Sequence, residues 1–149
     1  MGLASREDWP EAPPVSVLLD TGIVYAYYDR SDAWHARART LVTSQSRGLI
    51  LPAPVIPEVD HLLGARLGEK SRFAFYAGIT GNHYFIADLP RPAYDRVAEV
   101  AERFTDLTIG FVDASLVALA ESLNVRRIAT TDRRHFAPLA KAFNLELLP

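Results

Sequence analysis

Short apolar runs alternate with longer amphipathic segments along almost the whole chain, and this alternation limits the possible folds more than any other feature. The runs are VSVLL (15–19), LIL (49–51), YFIA (84–87), RIAT (127–130) and LELL (145–148). Each is too short for a buried helix and reads as a strand, and the first suits a strand buried on both faces. Between them, helical patterns are expected over 23–28, from Ser31 or Asp32 to 44, over 54–67, 69–79 and 92–104, from 109 or 110 to 123, and in a short helix opened by Asp132. Strands separated by helices join through crossover connections and run parallel. The expected fold is therefore α/β: an α/β/α sandwich around a mainly parallel sheet of roughly five strands.

Length and composition set the boundaries. A chain of 149 residues with 49% apolar side chains suits one domain with a sizeable core. The first 14 residues hold three prolines and several charges, which predicts a flexible extension over 1–14 and a single domain over 15–149. No apolar run approaches the roughly 18 residues of a membrane span, and the N-terminal segment lacks the apolar stretch of a signal peptide. With no cysteine either, the expected location is the cytoplasm, with no membrane partner.

Four acidic residues sit where an apolar element meets a turn or a helix. They are Asp20 in VLLDTG, Glu58 in PVIPEVDHLL, Asp113 in GFVDASLVALAE and Asp132 in IATTDRRHF. In open parallel sheets, ligands bind beyond the carboxyl ends of the strands, near the point where strand order reverses. Asp20 and Asp132 both occupy such ends, so neighbouring first and fourth strands would bring them into one crevice. Carboxylates gathered without a cation repel by roughly 4 kcal/mol per pair at about 4 Å and an effective dielectric of about 20. A convergent quartet therefore points to a metal site. Taken singly, each acid also has an ordinary reading: Asp132, Glu58 and Asp113 suit helix N-termini, and Asp20 suits a cap.

The segments LLDTGIVYAYYDRSDAWHARA, VIPEV, GFVDASLVALAESL and IATTDRRHF make the chain resemble the PIN-domain ribonucleases, particularly the bacterial VapC-type toxins of type II toxin-antitoxin systems. The resemblance covers about residues 15–149. It implies a PIN-like nuclease domain in which an acidic quartet binds magnesium or manganese and cleaves RNA, with Asp20, Glu58, Asp113 and Asp132 at the matching positions. It also implies a cognate antitoxin protein and a homodimer. Gly22 departs from the pattern, standing where a small hydroxyl residue often follows.

The chemistry of the residues agrees with that implication, because hard divalent cations prefer oxygen ligands. Asp20 and Asp113 are expected as primary ligands, Asp132 as a completing or bridging ligand, and Glu58 as the holder of a coordinated water or a second ion. Thr21 and Thr131 are expected to orient carboxylates or waters. Hydrolysis by water attack would leave a 5′-phosphate and a 3′-hydroxyl. The rival readings are a catalytically silent PIN-like module that binds RNA or protein, and a phospho-acceptor receiver domain. The latter is disfavoured because the chain lacks paired acids near the first strand and a late-strand lysine.

A net charge of −2 excludes a globally basic nucleic-acid binder, yet arginine supplies 14 of the 16 basic residues. Arg133 and Arg134, beside Asp132, are the candidate phosphate contacts, since a guanidinium matches phosphate geometry. The four histidines are scattered without zinc-site spacing, and His135 is read as a packing residue or a phosphate contact. Nucleotide-binding glycine loops and the G-x-S-x-G nucleophile turn are absent. Asp106 is expected in a turn or cap, Asp60 facing solvent, and Tyr25, Tyr27, Tyr28 and Trp34 in the core or along a groove.

Overall fold

The computed structural model describes residues 16–45 and 48–149. The expected extension over 1–14 lies outside the described residues. Five strands form one sheet: β1 (Val17–Leu19), β2 (Leu49–Pro52), β3 (Phe85–Ala87), β4 (Arg127–Ala129) and β5 (Glu146–Leu148). Their order is β3-β2-β1-β4-β5, and every pairing is parallel. The chain builds outward from β1 to β3, then returns to place β4 on the other side of β1. That return is the strand-order reversal expected from sequence, and it sets the carboxyl ends of β1 and β4 side by side.

Alternation along the strands divides the core into two layers. Val17, Leu19, Leu49, Leu51 and Ala129 face one layer, while Leu18, Ile50 and Ile128 face the other. The first layer is closed by α1 (Thr21–Tyr28), α2 (His35–Ser44), α3 (Ile56–Arg66) and α4 (Glu69–Thr80). The second is closed by α5 (Ala93–Arg103), α6 (Phe111–Leu123) and α7 (Arg133–Phe143). This is the α/β/α sandwich, and a strand covered on both faces explains why its sequence is an unbroken apolar run. Helix α6 is buried at every position from Ala114 through Ala120. Asn124 and Asn144 end α6 and α7 in the left-handed conformation, each with φ of 53°.

Two local expectations need correction. Helix α2 begins at His35, not at Ser31 or Asp32, because Asp29 and Asp32 spend their carboxylates on turn bonds. Asp29 Oδ1 accepts the Ser31 N–H at 2.9 Å, and Asp32 Oδ1 accepts the Trp34 N–H at 2.8 Å. Asp60 is half-buried rather than solvated, accepting the Arg72 Nε–H at 2.9 Å and the Tyr76 hydroxyl between α3 and α4. The aromatic cluster is mainly core: Tyr25 is buried, Tyr27 and Tyr28 pack against the first layer, and Trp34 carries the Arg37 guanidinium 3.7 Å above its ring.

Candidate active site

Asp20 stands between β1 and α1 with an extended backbone (φ −83°, ψ 162°), which lets it end a strand and cap a helix at once. Its Oδ1 accepts the Thr21 N–H at 2.8 Å, and its Oδ2 accepts the Thr130 hydroxyl at 2.8 Å. Thr130 is fully buried at the exit of β4, and its Oγ1 also accepts the Asp132 N–H at 3.0 Å. One threonine thus ties two adjacent strand ends together and orients two of the acids.

The other acids arrive on helix starts. Asp113 lies in the first turn of α6, with Oδ2 2.9 Å from His135 Nε2. Asp132 caps α7, its Oδ1 accepting the His135 N–H at 3.1 Å. His135 is therefore fixed by its backbone to one acid and by its ring to another. Glu58, in the first turn of α3, accepts the Thr21 hydroxyl at 2.5 Å. Pro57, just inside that helix start, lacks the N–H that would be orphaned there.

Burial is the main reason the Asp20 carboxyl rises from 3.8 to about 6, with the charges of Asp113 and Glu58 adding to the rise and the Thr130 and Thr21 hydrogen bonds opposing it. Asp113 is also raised, first by burial and then by Glu58 and Asp132, while His135 acts against the shift. All four acids consequently share one electrostatic neighbourhood. Among the described residues, no three acidic or imidazole groups form a ready-made coordination shell. Glu58 and Asp132 are exposed, and both Asp113 and Glu58 carry a side-chain partner on one oxygen. The donor set still fits a hard divalent cation, since it consists of carboxylate oxygens whose mutual repulsion a cation would relieve.

The residues around the quartet sort differently from their sequence order. Thr130, rather than Thr131, holds Asp20. Thr131 packs against α1, where a Cβ on Gly22 would come within 2.2 Å of Thr131 Oγ1. Gly22 therefore permits the close approach of the β4 exit to α1. The two arginines divide: Arg133 Nη2 donates to the Leu147 carbonyl at 3.1 Å, tying α7 to β5. Arg134 instead lines an open hollow with Leu107, Asp132, His135 and Pro138. Sequence reasoning gave the orienting role to Thr131 rather than to its neighbour Thr130, and undervalued His135. The signal was their placement two before and three after Asp132.

The chain is 29% identical to ribonuclease VapC26 of Mycobacterium tuberculosis over 123 residues, covering 83% of this chain and 91% of the relative. The fold matches the crystal structure of Mycobacterium tuberculosis VapC20, described as a sarcin-ricin loop cleaving toxin, with a TM-score of 0.75. The identity is 22%, and the match covers 83% of this chain and 95% of the other. It also matches FitAcB from Neisseria gonorrhoeae with a TM-score of 0.64 and 16% identity, over 89% of this chain and 96% of that one. The PIN domain model spans residues 17–142, from the first residue of β1 to the last turn of α7, and the chain belongs to the PIN domain family.

Proposed function

We propose that this protein is a metal-dependent endoribonuclease, the toxin of a VapBC-type toxin-antitoxin pair acting in the cytoplasm. The observation that carries the reading is the β1–β4 juncture, where Asp20 and Asp132 are organised by one buried threonine in the electrostatic reach of Glu58 and Asp113. The ribonuclease relative, alike over most of both chains, favours cleavage over a silent binding module.

Asp20 and Asp113 would be the primary holders of magnesium or manganese, with Asp132 completing the site and Glu58 at its outer side. Such a cation supplies charge neutralisation and Lewis acidity toward an in-line attack of water at phosphorus. The chain's own residues supply the positioning. Thr130 and the Thr21 N–H hold both Asp20 oxygens, the Thr21 hydroxyl holds Glu58, and His135 holds Asp113. Arg134, exposed beside Asp132, is suited to a substrate phosphate. Thr131 acts on the site through its packing on Gly22.

Antitoxin binding and self-association would use exposed apolar side chains. Phe73 is 58% exposed, and Tyr94 (48%) and Phe111 (52%) stand side by side with ring centroids 6.3 Å apart, a contiguous apolar surface of the kind interfaces use. Among the described residues, no helix is long and apolar enough to cross a membrane.

The test is incubation of RNA with the protein and magnesium or manganese, beside an EDTA control and an Asp20→Asn variant, followed by sequencing of RNA ends. Cleavage that needs the metal and disappears in the folded variant is expected. Intact RNA under every condition would leave the silent binding module as the better reading.

A further inference from the structure

The hollow beside the quartet has a composition that the acids do not explain. It lies between the short 3-10 turn Thr105–Leu107, which precedes α6, and the first two turns of α7. Its volume is about 320 Å³, and its lining is Leu107, Asp132, Arg134, His135 and Pro138. That size is near the lower end for small-ligand sites. That volume is on the scale of a single nucleotide.

The lining sorts into the three chemistries that a nucleotide presents. Arg134 is an exposed guanidinium, able to form two parallel hydrogen bonds to a phosphate. Leu107 is 38% exposed and, with the Pro138 ring, offers an apolar wall to the face of a base. The His135 ring is held in place by its bond to Asp113 and forms the side toward the quartet. Pro138 adds an acceptor indirectly: inside α7 it has no N–H to return to the carbonyl of Arg134, one turn earlier. Asp132 belongs both to the hollow and to the acidic neighbourhood, so an occupant would adjoin the phosphate being cut.

From this arrangement we infer that the hollow between Leu107 and Pro138 is a subsite for one unstacked RNA nucleotide next to the scissile phosphate, with Arg134 holding its phosphate and the Leu107 wall setting which bases fit. The substrate class rests on the nuclease reading above; the subsite itself rests on the lining. Unpaired bases splayed against flat or apolar side chains are the usual form of sequence recognition in RNA. Leu107 and Arg134 are then specificity and affinity determinants, not members of the cutting apparatus.

The experiment uses the full chain and an RNA hairpin with a randomised loop, with Leu107→Trp, Leu107→Ser and Arg134→Gln compared with the wild type. End sequencing gives the base preference at each position flanking the cut. Anisotropy of the labelled hairpin in EDTA gives binding without cleavage. Leu107→Trp narrows the hollow and is expected to shift the preference at one flanking position toward pyrimidines, while Leu107→Ser relaxes it at that same position. Arg134→Gln is expected to weaken hairpin binding in EDTA by about tenfold, in keeping with loss of a charge-assisted contact. Wild-type cleavage with an unaltered flanking profile and unaltered binding in all three variants would overturn the subsite and leave the nuclease reading intact. Should the wild type not cleave, the nuclease reading fails. The binding arm then decides the subsite alone, supporting it if the variants bind more weakly and overturning it if they bind as the wild type does.

Discussion

Thr130 Oγ1 donates to Asp20 Oδ2 at 2.8 Å across 110 positions of sequence, and the same oxygen accepts the Asp132 N–H at 3.0 Å. Thr130→Val keeps the shape and removes both bonds. It is expected to cost about 1–3 kcal/mol of stability, the usual penalty for unsatisfied buried groups, and to lower RNA cleavage more than tenfold. Thr130→Ser should recover most of both. Urea unfolding and a cleavage assay measure the two effects, and full activity in a folded Thr130→Val protein would remove Thr130 from the site.

Asp20 gives the metal-free protein an unusual pH response. Its carboxyl titrates at about 6 when folded against 3.8 when unfolded, so between those values the folded state binds more protons. Stability from this group therefore falls as pH rises from 3.8 to about 6 and stays level above, a loss on the order of 3 kcal/mol. In EDTA at pH 7, Asp20→Asn should be more stable than the wild type, and magnesium should narrow or reverse that gap. Thermal unfolding across pH, compared between the two proteins, isolates Asp20 from the raised Asp113 and the lowered Asp29 and Asp60. Parallel curves for the two proteins would contradict the burial argument.

The contact between His135 Nε2 and Asp113 Oδ2 occupies an oxygen that a cation would draw on. Magnesium titration is expected to shift the His135 ring resonances well before those of His35 and His83, which lie far along the sequence from all four acids. Equal small shifts in all three rings would place the ion elsewhere.

Gly22 and Thr131 form a coupled pair, because a Cβ on Gly22 would lie 2.2 Å from Thr131 Oγ1. Gly22→Ala alone should destabilise by about 1–3 kcal/mol through overpacking. In a Thr131→Ala background the same change should become stabilising by up to about 1 kcal/mol, since alanine favours a helix over glycine. A double-mutant cycle in urea reads the sign change directly. No change of sign would mean that α1 moves aside freely.

Much of the architecture was legible because parallel sheets leave a local trace: Val17–Leu19 and Leu49–Pro52, and Ile128 with Ala129 in β4, are apolar on both faces as a result of two-sided cover. The four acids were legible for a related reason, each marking an abrupt change from an apolar element to a turn or helix start. What stayed hidden depended on partners far along the chain. Of two consecutive threonines, only the path of β4 decides that Thr130 turns toward Asp20 while Thr131 meets Gly22. Asp60 looked like a solvated acid until α4 brought Arg72 and Tyr76 against it. For His135 the local signal was only its place three residues after Asp132, because the partner of its ring, Asp113, sits on a different helix.

The pairing of β1 with β4 also orders events in time. A growing chain presents Asp20 early and Glu58 soon after, but the strand that completes the cleft begins only at Arg127. Until that strand emerges, Asp20 and Glu58 face neither Thr130 nor Asp132, so no stretch of chain ending before Arg127 can assemble the juncture on which the four acids converge.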